Sequence, residues 1–437
     1  MPTWALAALA VLGGLAIGRF VTAGGDGQQT ERGDASVSAS AAAGGTVAAL
    51  EAAVDARPDD PVAWRSLGSA YVQEAVQTSD PAFYGLAERA FAEAEALAPD
   101  DPGTLVGRGA LQLSLHRFAE AEELGERATR ALPGNADALG VLVDAQVELG
   151  RYEEAAETVQ AMLDARPGLP ALARASYQRE LRGDLDGAEE AMRQAVVAGA
   201  ASTFDRAFVT SLLGDVQLAQ GDLDGALASY DDALDVSPGL VAAELGRAHV
   251  LAATGDLDEA TAIVEVVVER FPAPNALFLL ADVQYAMGDE AAEQETIDLV
   301  RVTSRLQQEA GQIVDLELAL FEADIAQDLP LAVELAQAAY DARPDNVFAA
   351  DALAWALHRS GDSEGAVRYA EEAVRLDTAS STLRYHAAEV FAATGDEARA
   401  VEHLEAALVA GPAFSLRHAE EVTALADRFG VAVPTDS

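Results

Sequence analysis

The sequence predicts an all-α solenoid of about ten stacked helix pairs. Three observations predict it: a recurring glycine-to-alanine rung, apolar residues at helical spacing before each rung, and almost no strand signal. In the rung, a small residue is followed five places later by a packing residue, mostly alanine, with a period close to 34. The clear copies are GRYEEA from Gly150, GDLDGA from Gly183 and Gly221, GDLDEA from Gly255, GDSEGA from Gly361 and GDEARA from Gly395. Weaker copies at Ala82, His116, Gly288 and Gln327 fill the gaps, giving spacings of 34, 34, 33, 38, 34, 33, 39, 34 and 34. A fixed period of this size marks a stacked repeat and overrides a domain count drawn from length.

The elements follow in order. Residues 3–18 carry no charge and Phe20–Ala23 extend the apolar stretch past Arg19. A spanning helix needs about 20 apolar residues, so an uncleaved membrane anchor over 1–23 is expected, with the repeats outside the cytoplasm. A cleaved signal peptide and secretion are the alternative, with VTA before Gly24 as the small-residue cleavage site. Gly14 and Gly18 form a GxxxG pair that could dimerise such a helix. Residues 24–45 read as a flexible Gly/Ala/Ser linker. TVAALEAAVDARPDD then reads as an unpaired helix opening the stack.

Within each unit, residues such as Trp64, Leu67, Gly68 and Tyr71 lie on one helical face. Glycine ends that helix because it takes the left-handed conformation without steric cost. The Asp after it caps the next helix, and proline closes many second helices, as at Pro99, Pro133, Pro238 and Pro344. Three irregularities stand out. The QTSDPAF region should lengthen the first inter-helix turn. The long intervals from Gly183 and Gly288 should lengthen second helices, particularly over 290–310. Leu320 and Glu293 occupy positions where a small residue is expected. At the far end Ser415 can cap a helix whose apolar face uses Ala419, Val422, Leu425 and Phe429, covering the last repeat, and 431–437 form a disordered tail.

These units resemble tetratricopeptide repeats. Trp64, Leu67, Gly68, Tyr71, Ala87, Phe91, Ala94 and Pro99 carry the family's signature residues in order, as do Leu213, Gly214, Gly221, Ala226, Tyr230, Ala233 and Pro238. The resemblance covers residues 46–430 and implies a right-handed superhelix with a terminal capping helix. The wider layout resembles membrane-anchored bacterial proteins of this kind.

The resemblance also implies a concave groove built from one face of each first helix. That face supplies Tyr177, Phe208, Phe278, Tyr285, Phe321, Phe348, Trp355 and Tyr385, the carboxylates Asp215, Asp282, Asp324, Asp351 and Glu389, and His249 and His358. Aromatics mixed with carboxylates suit a peptide carrying Arg or Lys with apolar side chains.

Composition narrows the function. There is no cysteine, which excludes disulfides, thiolate metal sites and cysteine nucleophiles. A net charge of −45 with no basic run argues against nucleic acid and anionic lipid as partners. The same acid excess reads either as a hydrated surface, including growth in salt, or as a groove that attracts basic partners. The six histidines show no metal-ligand spacing, and the DLDG strings at Asp184 and Asp222 read as helix caps rather than calcium loops. No catalytic motif or cofactor site is recognisable. The expectation is a non-catalytic scaffold that binds a protein or peptide near a membrane. An assembly factor for an envelope complex, as in cytochrome maturation, is the alternative, and a secreted enzyme a distant one.

Overall fold

The chemistry of each rung sets the local structure. Gly150, Gly183, Gly221, Gly255, Gly288, Gly361 and Gly395 all have positive φ, so each ends a helix where a side chain would be strained. The aspartate that follows turns back on the next helix. Asp184 accepts from the Gly187 N–H at 3.0 Å, Asp222 from Gly225 at 2.9 Å and Asp362 from Gly365 at 2.9 Å. The DLDG strings are therefore N-caps.

The computed structural model describes residues 39–434 except 200, 201, 315, 412 and 413. The expected anchor or signal peptide, its GxxxG pair and residues 24–38 of the expected linker lie outside the described residues. Helix α1 (Ala39–Ala56) begins within that linker and opens the stack, its Glu51 accepting from the Tyr71 hydroxyl at 2.7 Å. Ten antiparallel pairs follow. They are α2 (Pro61–Thr78) with α3 (Ala82–Leu97), α4 (Pro102–Ser114) with α5 (Phe118–Ala131), and α6 (Ala136–Glu148) with α7 (Tyr152–Ala165). Next come α8 (Leu169–Glu180) with α9 (Leu185–Ala198), α10 (Thr203–Ala219) with α11 (Leu223–Val236), and α12 (Val241–Ala253) with α13 (Leu257–Arg270). The last four are α14 (Pro274–Met287) with α15 (Glu290–Glu309), α16 (Leu316–Asp324) with α17 (Leu329–Ala342), α18 (Val347–Arg359) with α19 (Ser363–Ala373), and α20 (Ser381–Thr394) with α21 (Glu397–Ala407). A terminal helix α22 (Ala419–Phe429) completes the set. The described residues contain no strand, and none of their helices is long and apolar enough to cross a membrane.

Small residues let aromatic rings lock neighbouring pairs together. A Cβ on Gly68 or Gly107 would stand 2.9 or 2.5 Å from the Phe91 ring, so that ring wedges between two first helices. Tyr230 does the same against Gly214 and Gly246. Emptying such a site costs about 3–5 kcal/mol by cavity formation.

Two irregularities resolve differently from expectation. The extra residues of the first unit extend its first helix, α2, to 18 residues rather than its turn. The long interval after Gly183 extends the first helix α10 to 17 residues, while its second helix α9 keeps 14. The interval after Gly288 does produce a long second helix, the 20-residue α15.

The superhelix winds tightly enough to meet itself. Arg117 donates to the Gly311 carbonyl at 2.9 Å, and the Asn346 amide donates to the Glu148 carbonyl at 2.9 Å. The Val347 N–H donates to the Tyr152 hydroxyl at 3.0 Å, and the Thr378 hydroxyl to the Leu181 carbonyl at 2.8 Å. These partners are 194 to 198 residues apart. The rung glycines form the seam: a Cβ on Gly150 would stand 2.1 Å from the Asp345 carbonyl carbon, and one on Gly183 2.6 Å from the Asp377 oxygen.

The inner wall and its occupant

First helices supply the inner wall, and the end of the chain runs along it. Residues Phe414–Glu421 touch α14, α16, α18 and α20 rather than only the last pair. Their anchor is Arg417, whose side chain is 7% exposed. Its Nε donates to Asp282 Oδ1 at 3.0 Å and its Nη2 to Glu293 Oε1 at 2.7 Å. The guanidinium carbon lies 4.2 Å from the centre of the Tyr285 ring. Burial raises the Asp282 carboxyl above its ordinary range, and Arg417 works against that rise.

The next residue is held as firmly. His418 Nδ1 is 2.7 Å from Glu421 Oε2 and its Nε2 is 3.2 Å from Asp324 Oδ1. Burial opposes protonation of His418, but Asp324 and Glu421 outweigh it and lift the imidazole to about 9. Asp324, which burial alone would raise, is held well below the carboxylate range by His418. It also accepts from Trp355 Nε1 and from Arg359 Nη1. Trp355 is 1% exposed, stacked on His386 at 4.0 Å and edge-on to His418 at 5.7 Å. Asp351 holds His386 Nδ1 at 3.1 Å, and Tyr385 donates to Glu421 at 3.2 Å. Glu389 lies beside Tyr385, its carboxyl raised by burial.

Most of the face that repeat register picks out is closed to solvent. Phe208, His249, Phe278, Phe321, Phe348, Asp351, Trp355 and Tyr385 are buried, and Tyr177, Asp215, Asp282, Asp324, His358 and Glu389 are partly buried. Phe278 and Phe321 stack on each other at 4.9 Å. Asp215 accepts from Tyr230 at 2.7 Å, and burial lifts it to about 7. Burial drives the His249 imidazole down to about 4, and lowers His358 to a similar value. Tyr285 alone of the expected set is exposed, at 46%. Phe208, Phe278 and Phe321 are closed off by packing between neighbouring helices, and Asp282, Asp324, Trp355 and Tyr385 are met by the chain end.

Four residues outside the expected set complete the site: Glu293, Arg417, His418 and Glu421. One of them left a mark in the sequence. Glu293 stands where other rungs place Ala155, Ala188, Ala226, Ala260, Ala366 and Ala400, all of them fully buried. The departure occurs because its carboxylate meets Arg417. Leu320, the other large residue at a small position, is buried in the main core. Ser415 accepts from the His418 N–H at 3.3 Å, one turn before α22 begins. Helix α22 lies on the wall as well as closing the stack, and Val431 and Val433 of the expected disordered tail pack against the same core. On the outside, α15 exposes Leu299, Val302 and Leu306 along one stripe.

The profile of the family described as "Tetratricopeptide repeat" matches residues 112–177, 217–283 and 352–413. The cellulose synthase operon protein C of Pseudomonas fluorescens (strain SBW25) is 29% identical over 192 residues, which span 38% of this chain and 15% of that protein. A thermophilic tetratricopeptide-repeat protein of Thermus thermophilus is 25% identical with a TM-score of 0.38, covering 42% of this chain and 99% of that one. The Cut9–Hcn1 hetero-tetramer structure matches at 12% identity and a TM-score of 0.40, over 89% of this chain and 94% of that one.

Proposed function

Because the chain is a tetratricopeptide-repeat protein, we propose that it is a non-catalytic interaction scaffold whose inner wall takes a polypeptide segment with basic side chains. One observation carries this reading: a polypeptide segment already lies on that wall, with an arginine held by two carboxylates and a tyrosine ring. A guanidinium between carboxylates over an aromatic face is the arrangement that recognises arginine in a partner. The net charge of −45 adds long-range attraction for basic partners and makes their association fall with salt. We place the scaffold at a membrane surface through residues 1–23, supported by the uncharged run 3–18. Retention of the full chain in the pellet after an alkaline wash tests that placement.

A photo-crosslinking residue at Tyr285, at the open edge of the wall, tests the binding reading in the native cell. The partner segment crosslinked there is expected to carry arginine. Adducts formed only from a control position at Val302, on the outer stripe of α15, would overturn it.

A further inference from the structure

We propose that residues 414–429 are a tethered, displaceable occupant of the inner wall, and that an arginine-bearing partner segment enters by taking the place of Arg417. The inference rests on the reading of that wall as a polypeptide-binding surface and adds its regulation.

Four observations carry it. The segment crosses first helices of successive pairs, α14, α16, α18 and α20, which is the path an external peptide would follow; a simple cap would cover α21 alone. Its polar ties to the wall run through side chains: Arg417 to Asp282 and Glu293, His418 to Asp324, and Glu421 to Tyr385. Side-chain ties can be reproduced by any segment with the same residues, whereas a backbone ladder would fix this one in register.

The pocket is also written into the sequence. Glu293 puts a carboxylate where the nine other rungs pack a buried alanine, and it does so in the pair whose wall meets Arg417. Finally, the pocket is open at one edge. Tyr285 is 46% exposed although the guanidinium lies on its ring, so solvent and a competing arginine reach the site without unwinding the superhelix. Phe414, Val422, Leu425 and Ala426 are buried and keep the lane filled when no partner is present. A partner must then bind through the small fraction of open chains, and its apparent affinity is reduced by that fraction.

The test uses the full chain and a labelled synthetic peptide with the sequence of residues 414–429. Arg417→Ala in the chain is expected to tighten peptide binding by about tenfold or more, by raising the open fraction. A peptide with alanine in place of its own Arg417 equivalent should fail to bind. Equal affinity for wild type and variant, still dependent on the peptide arginine, would overturn displacement and leave the inner-wall reading standing. No binding to either chain at millimolar peptide would overturn both.

A second measurement avoids altering the segment. With Trp4→Phe and Trp64→Phe, Trp355 is the remaining tryptophan and reports contact with His418. Saturating peptide that keeps its arginine but carries alanine in place of its His418 equivalent should shift the Trp355 emission to the red, because it displaces His418 without replacing its ring. Peptide bound with the Trp355 emission unchanged would contradict displacement.

Discussion

Arg343 Nη1 lies 3.2 Å from Glu148 Oε2, joining residues 195 apart in the chain across the seam of the superhelix. Both side chains are nearly enclosed, at 6% and 12% exposure. Burial pushes the Glu148 carboxyl up to about 7, with Arg343 working against that rise. Removing one partner of such a pair leaves a buried charge without compensation. Arg343→Met should cost roughly 3–5 kcal/mol in urea unfolding at pH 8, and adding Glu148→Gln should recover much of the loss.

The seam also makes two similar glycines unequal. Gly150 and Gly255 both have positive φ, 76° and 93°, so alanine at either costs about 1 kcal/mol of backbone strain. Around Gly255 a Cβ meets nothing within 4 Å, whereas at Gly150 it meets the Asp345 backbone. Gly150→Ala should therefore lower stability by at least about 2 kcal/mol more than Gly255→Ala, since fixed backbone must move. Equal melting temperatures would place the seam elsewhere.

Much of this fold is legible in sequence. The glycine that needs positive φ, the aspartate that caps and the alanine that packs are local requirements, and each leaves its residue at a fixed place. Closure of the superhelix is not legible in this way. It arises from a small rotation per pair summed over the stack, and no single residue encodes it. The candidate site is half legible for the same reason. Helical register puts Asp282, Asp324 and Trp355 on one face with the exposed Tyr285, but the burial of those three depends on Arg417 and His418 returning from the chain end. Glu293 is the available clue, because a carboxylate at a buried alanine position needs a cation nearby.

Stability should fall as pH rises from 5 to 9. Burial raises Glu180 to about 8, and raises Asp215 to about 7. The folded chain then binds protons more tightly than the unfolded chain between the ordinary carboxylate range and those values. Their contribution is fully present at low pH and is lost as pH rises through 7 to 8. Glu180→Gln should flatten this slope and stabilise the chain by on the order of a few kcal/mol above pH 8. Chemical denaturation at pH 5, 7 and 9 checks the sign.

The terminal helix should loosen at alkaline pH. His418 is raised to about 9, so its contribution is fully present below its ordinary value near 6.5 and is lost as pH climbs through 9. The groups facing it are Asp324 of α16, Trp355 and Tyr385 of the wall and Glu421 of its own helix, with the Asp282 and Glu389 carboxylates within electrostatic reach. Amide exchange in Val422–Phe429, corrected for the intrinsic rate, should accelerate about tenfold between pH 7 and pH 10. His418→Gln should remove that dependence.

The most direct measurement is a double-mutant cycle between Glu293 and Arg417. Alanine at 293 restores the rung pattern of the other repeats, so its effect depends on whether Arg417 sits in the pocket. Glu293→Ala should destabilise the wild-type chain by about 1–2 kcal/mol and be neutral or stabilising in the Arg417→Ala chain, a coupling of about 1 kcal/mol or more. The same change in both backgrounds, with coupling below about 0.5 kcal/mol, would contradict an arginine seated on the inner wall.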